Sequence, residues 1–542
     1  MTRKTTKKSK PRLAVIDAET DPFLYGRKPE VFAWGFFDGV KYQDFWGAHA
    51  TAQLLQYLER ESEPLMIYAH NGGKFDFFYL IEQGVVNDPI TIINGRIVKL
   101  GLGEHELRDS YAIIPVALAV AGDKLEIDYE KFEASQRQKH KAEILHYLAV
   151  DCEALYKLVS RFHERFGPML TVGGTAIKEL EKLHPLKRGD AEHDAAFRPF
   201  YYGGRVSCFE PGIHRGDFTV YDVNSMYPHV MRNREHPYGM KYLRIDSPEL
   251  DRLGNVKGYA KRPYFAKLTA TNRSALPVRT DEGLYFDAPE GEFFACSHEI
   301  KVALKHKLID VHEISHAFVP LQTITFDAFV DTFIADKISA KLSGDKIAEL
   351  FAKFMLNSAY GKFGQNPAHY FDYSILRTEE RPAWMKKHKG EEWAMHLDFG
   401  DWEIWKKPTP KPRYFDVAIA ASITSAARSV LLDALQTAKR PIYCDTDSII
   451  CESLPQIQSD TELGAWKIEA QGDRIGIAGK KLYALYKGRQ CVKMASKGAD
   501  LEPGDIVSLA RGNAVIWAKD APTFRLGAPA PLWIDRVIIA TA

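Results

Sequence analysis

The stretch PIYCDTDSII, residues 441–450, limits what this chain can fold into more than any other segment. Asp445 and Asp447 lie two residues apart between short apolar runs, a pattern typical of a β-hairpin that turns at the aspartates. Two carboxylates at the tip of a buried hairpin repel each other and stay ionised only if a cation lies nearby. The alternative is a plain surface turn, where aspartate is common. The segment therefore predicts a cation site, provided that other acidic residues join it.

A third carboxylate, Asp222, closes the apolar strand in VYDVNSMYP. We expect Asp222 and Asp445 to hold two Mg²⁺ ions, with Asp447 beside them, and we assign the adjacent Val223 to the same metal site. Two such ions activate a 3′-hydroxyl and stabilise a leaving pyrophosphate in an in-line displacement. Mn²⁺ is the expected substitute. The three aspartates would therefore suit metal-dependent nucleotidyl transfer, although the DxD spacing by itself is a weak signal.

The segment KFMLNSAYGKFG predicts a helix that places three polar side chains on one face. Lys353, Asn357 and Tyr360 fall at positions i, i+4 and i+7. This set suits a nucleoside triphosphate, with the lysine on phosphate and the other two near the base. Lys341, just before this helix, is either a second phosphate contact or a surface lysine. An ordinary amphipathic helix with a solvated polar stripe is the alternative.

A second acidic set lies upstream of the first, in VIDAETDP, HNGGKFD and YLAVD. Asp17 and Glu19 share a face of an extended segment, because side chains two apart in a strand point the same way. Asp76 and Asp151 come from two other segments, and Tyr147 precedes Asp151 by one helical turn. We expect these carboxylates to bind two further metal ions and to hydrolyse a phosphodiester, with Tyr147 orienting the attacking water. A helix cap at Asp17 and a solvated helix position at Asp151 are the alternatives.

Length and composition set the outer limits of this hypothesis. The 542 residues exceed one domain, and strand-like and helix-like segments alternate over residues 12–160, which predicts an α/β domain. A net charge of +1 argues neither for nor against nucleic acid, but residues 480–520 carry eight Lys and Arg against four Asp and Glu. The longest apolar run, 111–121, is short and interrupted by Pro115, so we expect no membrane span and no membrane partner.

The segments DAE, NGGKFD and YLAVD resemble the three exonuclease motifs of family B DNA polymerases, and DVNSMYP, KFMLNSAYG and YCDTDS resemble the three polymerase motifs, in family order. The chain is most similar to the protein-primed branch found in tailless, lipid-containing (tectivirus-like) bacteriophages and in small tailed phages. The resemblance implies an α/β and α+β multidomain fold. A ribonuclease-H-like 3′–5′ exonuclease domain would be followed by a right-hand polymerase domain with palm, fingers and thumb.

The resemblance also implies domain bounds. They are a basic disordered tail at 1–11, the exonuclease domain at 12–185, the palm at 186–232 and 414–485, an insertion like terminal-protein region 1 at 233–330, the fingers at 331–365, an insertion like terminal-protein region 2 at 366–413, and the thumb at 486–542.

Further site residues carry over from the family motifs as expectations. Ser225, Met226 and Tyr227 would contact the incoming nucleotide, and the Tyr227 ring would exclude a 2′-hydroxyl. Lys124 would serve the exonuclease site. The expected DNA contacts are Tyr201, Gly203, Gly204, Thr424, Arg428, Lys481 and Tyr483 for primer and template, and His70, Asn71, Phe75 and Ser110 for the single-stranded 3′ end. Lys497 is a further expected contact with duplex DNA, on the ground that it lies in the basic C-terminal stretch and not in a family motif.

The implied function is that of a DNA-directed DNA polymerase with proofreading, which starts from a terminal protein on a linear phage genome in the cytoplasm of a bacterial host. Its partners would be template and primer DNA, dNTPs, the priming protein and a single-stranded DNA-binding protein. A polymerase that starts without a protein primer is the first alternative. A nucleic-acid-binding protein with decayed active sites is the second, although acidic residues stand at every motif.

One motif points to different chemistry. HEISH, residues 312–316, matches the zinc-protease pattern HExxH, which requires a helix to bring His312 and His316 onto one face. The surrounding β-branched residues and Pro320 favour a strand instead. We therefore expect no zinc site here.

Overall fold

The computed structural model describes residues 11–24, 26–83, 86–120, 125–281, 283–398, 400–409, 416–456, 459, 461–519, 522–523 and 535–539. The expected tail at 1–11 lies outside them except for its last residue, as does Lys124. The multidomain α/β and α+β fold class is confirmed, because two large sheets with separate helical layers are joined in one chain.

The N-terminal domain is a mixed sheet covered by helices. Its elements are β1 (Arg12–Thr20), β2 (Val31–Phe37), β3 (Tyr42–Trp46), α1 (Ala50–Glu59), β4 (Leu65–Ala69), α2 (Asp76–Glu82), β5 (Val86–Ile93), β6 (Arg96–Leu102), β7 (His105–Asp109), α3 (Lys141–Phe166) and α4 (Val172–Leu183). β4 runs parallel to both β1 and β7, and β2 and β3 continue the sheet antiparallel. The predicted strands at RLAVID and PLMIYAH and the long helix ending at Phe166 are confirmed.

Next come β9, which carries Asp222 and is called the metal strand after its expected role, and the first insertion. Their elements are α5 (Ala191–Phe197), β8 (Val206–Cys208), β9 (Gly212–Val223), α6 (Met226–Asn233), β10 (His236–Pro237), β11 (Tyr242–Asp246), β12 (Phe265–Asn272), β13 (Val278–Thr280), β14 (Gly283–Tyr285), β15 (Glu290–Cys296), α7 (Ser297–Lys305), β16 (Ile309–Pro320) and β17 (Thr323–Ile324). Strands β11, β16, β12 and β15 form a separate four-stranded sheet with its own core. HEISH lies within β16, so the expected strand is confirmed and the zinc-protease helix is excluded.

The remaining elements build the fingers, the second insertion and the C-terminal part. They are α8 (Asp327–Ser343), α9 (Lys346–Phe363), β18 (Phe371–Arg377), α10 (Arg381–Lys387), β19 (Ala394–Asp398), β20 (Trp402–Pro408), α11 (Val417–Leu435), β21 (Tyr443–Asp445), β22 (Ser448–Cys451), β23 (Trp466–Gly479), β24 (Leu482–Lys487), β25 (Gln490–Ser496), α12 (Pro503–Ala510), β26 (Val515–Ala518) and β27 (Asp535–Ile538). The predicted hairpin at the aspartates is confirmed as β21 and β22.

The second large sheet carries the aspartates. Its seven strands run in the order β25-β24-β23-β9-β22-β21-β8. The expected boundary between palm and thumb at residue 485 falls inside β24, and β25 continues the same sheet. Of the described helices, α11 is long and apolar enough to cross a membrane by length and composition, but most of it is buried against α6, α7 and α9.

The second insertion does not form a separate unit beside the fingers. Tyr373 of β18 pairs with Ile90 of β5, so β18, β20 and β19 extend the N-terminal sheet to ten strands. Its tryptophans pack inward: Trp402 and Trp405 are buried, and the Trp384 ring lies 5.2 Å from Trp393 and 5.5 Å from Trp405. These rings form the core of the insertion.

The N-terminal domain and the fingers share one continuous core. The Phe162 ring on α3 meets the Phe351 ring on α9 edge-on at 5.5 Å, and Arg161 forms two hydrogen bonds to Asp345, the N-cap of α9. The fingers helices are therefore fixed at one end to the N-terminal domain.

Candidate active sites

The turn between β21 and β22 brings three aspartates to one edge of the sheet. Ser448 pairs in register with Asp222 at the end of β9, and the Val223 amide donates to the Asp447 carbonyl at 2.8 Å. Thr446, at the tip, has the left-handed φ of 57°, and its amide donates to the Arg205 carbonyl at 2.7 Å. Main-chain bonds on both sides thus fix the turn against the metal strand, as the apolar pattern predicted.

The three aspartates differ in their partners. Lys467 on β23 lies 3.0 Å from an Asp222 carboxylate oxygen, and Lys481 forms an ion pair with Asp445. Within the described residues no ion pair engages Asp447. Burial raises the pKa of Asp447 to about 6, and the charges of Asp222 and then Asp445 add to this. Burial also raises the pKa of Asp222, partly offset by Lys467.

This geometry changes the expected roles within the aspartate set. The sequence hypothesis gave metal binding to Asp222 and Asp445 and a supporting position to Asp447. Lys481 pairs with Asp445 as Lys467 pairs with Asp222, whereas Asp447 has no ion-pair partner among the described residues, and after burial Asp222 is the charge that raises its pKa most. The Val223 side chain is apolar, so only its main-chain carbonyl oxygen could bind a metal ion. We therefore treat Asp222 and Asp447 as the pair best suited to a divalent cation.

The nucleotide residues form the wall beside the aspartates. Ser225, with the left-handed φ of 53°, begins α6, and the next residue, Met226, is buried. The Tyr227 ring stacks on Tyr360 of α9, with ring centroids 3.8 Å apart and planes at 11°. The two tyrosines that the sequence assigned to sugar and base are therefore in direct contact and form one aromatic wall.

The fingers present a lysine-rich face. Lys353, Asn357 and Lys341 are exposed, as expected for phosphate and base contacts, and Lys353 pairs with Glu349 one turn earlier at 2.7 Å. Lys337, which the sequence hypothesis missed, lies among them: burial lowers its pKa, and the charge of Lys353 lowers it further. Lys337 precedes Lys341 by four residues, about one helical turn, so the sequence alone could have placed both lysines on the same face of a helix.

The loop after α5 is wedged between the aspartate hairpin and the fingers. A Cβ at Gly204 would come within 2.6 Å of the Thr446 hydroxyl, whereas one at Gly203 would meet open space. A Cβ at Gly364, where α9 ends, would come within 2.4 Å of the Tyr201 ring. The loop expected to hold template thus also packs the fingers against the hairpin.

The expected DNA contacts at Thr424 and Arg428 are wrong as direct contacts, because both side chains are buried. Thr424 bonds to carbonyls of its own helix. Arg428 donates to both carboxylate oxygens of Glu299, at 2.7 and 2.6 Å, and to the carbonyls of Tyr202 and Gly203. Arg428 therefore positions the glycine loop from inside the protein.

The C-terminal lysines lie at different depths. Lys481 is half-buried on Asp445, and its amide donates to the Tyr443 hydroxyl at 2.8 Å. Tyr483 is buried against Tyr443, so it supports the hairpin and its ring does not reach DNA. Lys497 is exposed and stays a predicted DNA contact.

The N-terminal domain gathers the second acidic set at the end of β1. Burial raises the pKa of Asp17 and Glu19 well above their usual range, and the neighbouring carboxylates, Asp151 among them, add to both shifts. Burial raises the pKa of Asp76 to about 7. The sequence prediction that three segments bring these carboxylates together is therefore supported by their mutual effects.

A divalent cation fits this second set. Glu19 and Asp76 each have a buried carboxylate oxygen without a hydrogen-bond partner, which a metal ion would satisfy. No group of three or more His, Cys, Asp or Glu side chains in the described ranges is arranged as a ready metal site. The carboxylates repel one another, and a cation would draw them together. Burial raises the pKa of Asp151, and the nearby Tyr147 hydroxyl lowers it in part, so Tyr147 lies beside the set.

The residues expected to hold a single-stranded end divide into two groups. Ser110 is buried and bonds to His70 Nδ1 at 2.9 Å, so it orients the histidine and is not itself a DNA contact. Asn71 has the left-handed φ of 63° and accepts from Arg96 at 2.7 Å. Phe75 is half-buried and meets Phe23 edge-on. The sequence hypothesis missed Arg96, because β6 carries no family motif.

Comparison with known proteins agrees with this arrangement. The family model for type B DNA polymerases of organelles and viruses matches residues 123–450. The DNA-directed DNA polymerase of Enterobacteria phage PRD1 is 46% identical over 509 residues, which cover 93% of this chain and 89% of that protein. The DNA polymerase of Bacillus phage Nf is 26% identical over 84% of this chain and 83% of its own length.

The fold is also found among solved structures. Phi29 DNA polymerase, in complex with primer-template DNA and incoming nucleotide substrates, superposes with a TM-score of 0.73 at 18% identity, covering 98% of this chain and all of that one. An N-terminal mixed sheet, a second sheet with clustered aspartates and a pair of helices beside it are the architecture that the two chains share. The chain belongs to the type B DNA polymerases of organelles and viruses, and within them it is similar to phage replication enzymes. It is a metal-dependent, DNA-directed DNA polymerase.

Proposed function

We propose that this polymerase copies a linear phage genome from a protein primer and proofreads its product with a 3′–5′ exonuclease. The observation that carries the proofreading part of the proposal is the presence of two separate carboxylate sets, one around β1 and one around β9 and the turn between β21 and β22, each at its own sheet. Two sets in two domains suit two reactions on one DNA strand. The setting we propose is the cytoplasm of a bacterial host.

For synthesis, we assign Asp222 and Asp447 to the catalytic cations, and we assign Asp445 to holding the hairpin through Lys481. Bound Mg²⁺, or Mn²⁺ in its place, would activate the primer hydroxyl and stabilise the leaving pyrophosphate. Lys353 and Lys341 would take the triphosphate from the fingers side, since their ammonium groups are exposed there.

For proofreading, Asp17, Glu19, Asp76 and Asp151 supply oxygen ligands, the donors that Mg²⁺ prefers. Tyr147 would orient the attacking water, because its hydroxyl lies close enough to Asp151 to lower the pKa of that carboxyl. His70, Asn71 and Phe75 would hold the frayed 3′ end.

The template strand would bind in a cleft between the N-terminal domain and the second insertion. Lys74, Arg96, Lys362 and several aromatic residues line this cleft. A single-stranded DNA-binding protein would cover the displaced strand.

For initiation, a protein hydroxyl replaces the primer hydroxyl at the same cations, so the priming protein must enter the duplex channel. The first insertion is placed for this between the metal strand and the fingers. It carries an acidic cleft lined by Glu249, Asp251, Asp310 and Glu313, which suits a basic surface on the terminal protein. Initiation without a protein primer is the second candidate, and the same assay separates the two.

The test supplies labelled dNTP, Mg²⁺ or Mn²⁺, template ends and candidate proteins encoded beside the gene. We expect a labelled protein band that disappears with Asp447→Asn and persists with Asp17→Ala, whereas 3′–5′ degradation should show the reverse. The paired reversal Glu249→Lys with Glu313→Lys should lower protein labelling before it lowers extension of a DNA primer. Robust synthesis on bare template, with neither primer nor partner, would refute protein priming.

A further inference from the structure

A lysine lies directly against the principal metal carboxylate. Lys467 pairs in register with Asp222 across β23 and β9, and its ammonium lies 3.0 Å from the Asp222 Oδ1 atom. The two side chains are 32% and 19% exposed, so solvent screens the pair only in part. The ammonium therefore occupies one of the positions from which a cation would contact Asp222.

The same lysine has a second partner available. Glu469 follows two residues later on β23 and lies 3.4 Å from the Lys467 ammonium. Lys493 holds Glu469 from the other side at 2.8 Å. Lys467 is thus positioned between two carboxylates, and a small rotation of its flexible side chain would move the ammonium from Asp222 to Glu469.

We propose that Lys467 competes with the divalent cation for Asp222 and so weakens metal binding in the free polymerase. The lysine releases Asp222 when the metal arrives with the nucleotide triphosphate, because the phosphates and Glu469 then offer the ammonium other partners. The inference rests on the proposed metal role of Asp222. Its consequence is that metal occupancy of the polymerase site depends on nucleotide, which limits metal-dependent side reactions on an idle enzyme.

The experiment measures Mn²⁺ binding by the full chain without DNA or nucleotide, using the electron paramagnetic resonance signal of free Mn²⁺. Glu19→Gln with Asp76→Asn removes from the background the two carboxylates of the second acidic set whose unpartnered oxygens suit a cation. Lys467→Met is compared with Lys493→Met, which removes a lysine of equal charge that contacts Glu469 but not Asp222. A partly buried ion pair of this kind predicts binding roughly three- to tenfold tighter in Lys467→Met. We expect less than about a twofold change in Lys493→Met.

Asp222→Asn separates failure of the inference from failure of the proposed function. Added to Lys467→Met, it should abolish the tightened site. If Lys467→Met binds Mn²⁺ like its parent while Asp222→Asn loses binding, the competition is wrong but the metal role of Asp222 stands. An equal gain in Mn²⁺ affinity in Lys467→Met and Lys493→Met would also refute the competition, because the gain would then follow from net charge and not from contact with Asp222. Unchanged binding in Asp222→Asn would overturn the metal role itself.

Discussion

The buried ion pair between Arg428 and Glu299 offers the sharpest test of how the glycine loop is held. Both side chains are 2% exposed, and two hydrogen bonds join them. Arg428 also donates to the carbonyls of Tyr202 and Gly203 at 2.8 and 2.7 Å. Because the guanidinium lies inside the protein, we expect its loss to act on the loop and not on a DNA phosphate.

The magnitude follows from the burial of both charges. Glu299→Gln leaves the guanidinium of Arg428 without a counter-charge, which costs about 3–5 kcal/mol, and Arg428→Met leaves the carboxylate in the same position. The double variant Arg428→Met with Glu299→Leu leaves no unpaired buried charge. It leaves mainly two loop carbonyls without a donor, so it should lower the free energy of unfolding by about 1–3 kcal/mol in total. The double variant should therefore be more stable than either single variant.

The assay has two parts. A loss of about 4 kcal/mol should lower the urea midpoint of unfolding, followed by tryptophan fluorescence, by up to about 1 M, because the m-value grows with the surface that unfolding exposes. In addition, the salt dependence of DNA binding is measured at low urea for all variants. We expect Arg428→Met and Glu299→Gln to weaken binding to a similar extent with no change in slope. A slope that falls by about one unit in Arg428→Met alone would identify a phosphate contact and refute the positioning role.

Three other substitutions probe the polymerase site. Asp447→Asn should lower kcat for primer extension by at least about a hundredfold. Asp445→Asn should lower kcat by about tenfold, because it removes only an ion pair with Lys481. Equal losses would contradict the assignment of Asp447 to the metal ion and of Asp445 to the hairpin. Tyr227→Val should raise rNTP relative to dNTP incorporation, and unchanged discrimination would exclude the steric role. Gly204→Ala should displace Thr446 and lower kcat, because the added Cβ would come within 2.6 Å of the Thr446 hydroxyl; an unchanged kcat would contradict the close packing of the loop on the hairpin.

The sequence predicted the positions of the carboxylates well because strand ends are local features. The apolar run before Asp222 and the two runs around Asp445 and Asp447 predict strands from alternation and β-branching alone, and the structure has β9, β21 and β22 there. The same holds for Asp17 on β1. The apolar pattern shows where each strand runs. It therefore shows where each acidic residue lies along its strand before any tertiary contact is known.

The partners of these carboxylates could not be predicted in this way. Lys467 faces Asp222 only because β23 pairs with β9 in one register, and a shift by one residue would turn the lysine to the other face. The same limit applies to Arg428 and Ser110, whose motif letters suggested DNA contacts and whose burial follows from packing between distant segments. The pairing of Tyr373 with Ile90 likewise joins two segments whose spacing carries no signal.

The balance of charge among the aspartates and lysines at the end of the palm strands determines which aspartates can bind a cation. Asp222 and Asp445 each face one lysine, so their charges are largely balanced, and Glu469 is shared between Lys467 and Lys493. Asp447 adds one more negative charge, for which no described side chain provides a partner. Its raised pKa shows the cost of that charge at a buried edge. A divalent cation between Asp222 and Asp447 would relieve the repulsion and free the Asp222 lysine for other anions. The lysines therefore keep the sheet edge folded before the cation binds, and the uncompensated aspartate sets where it binds.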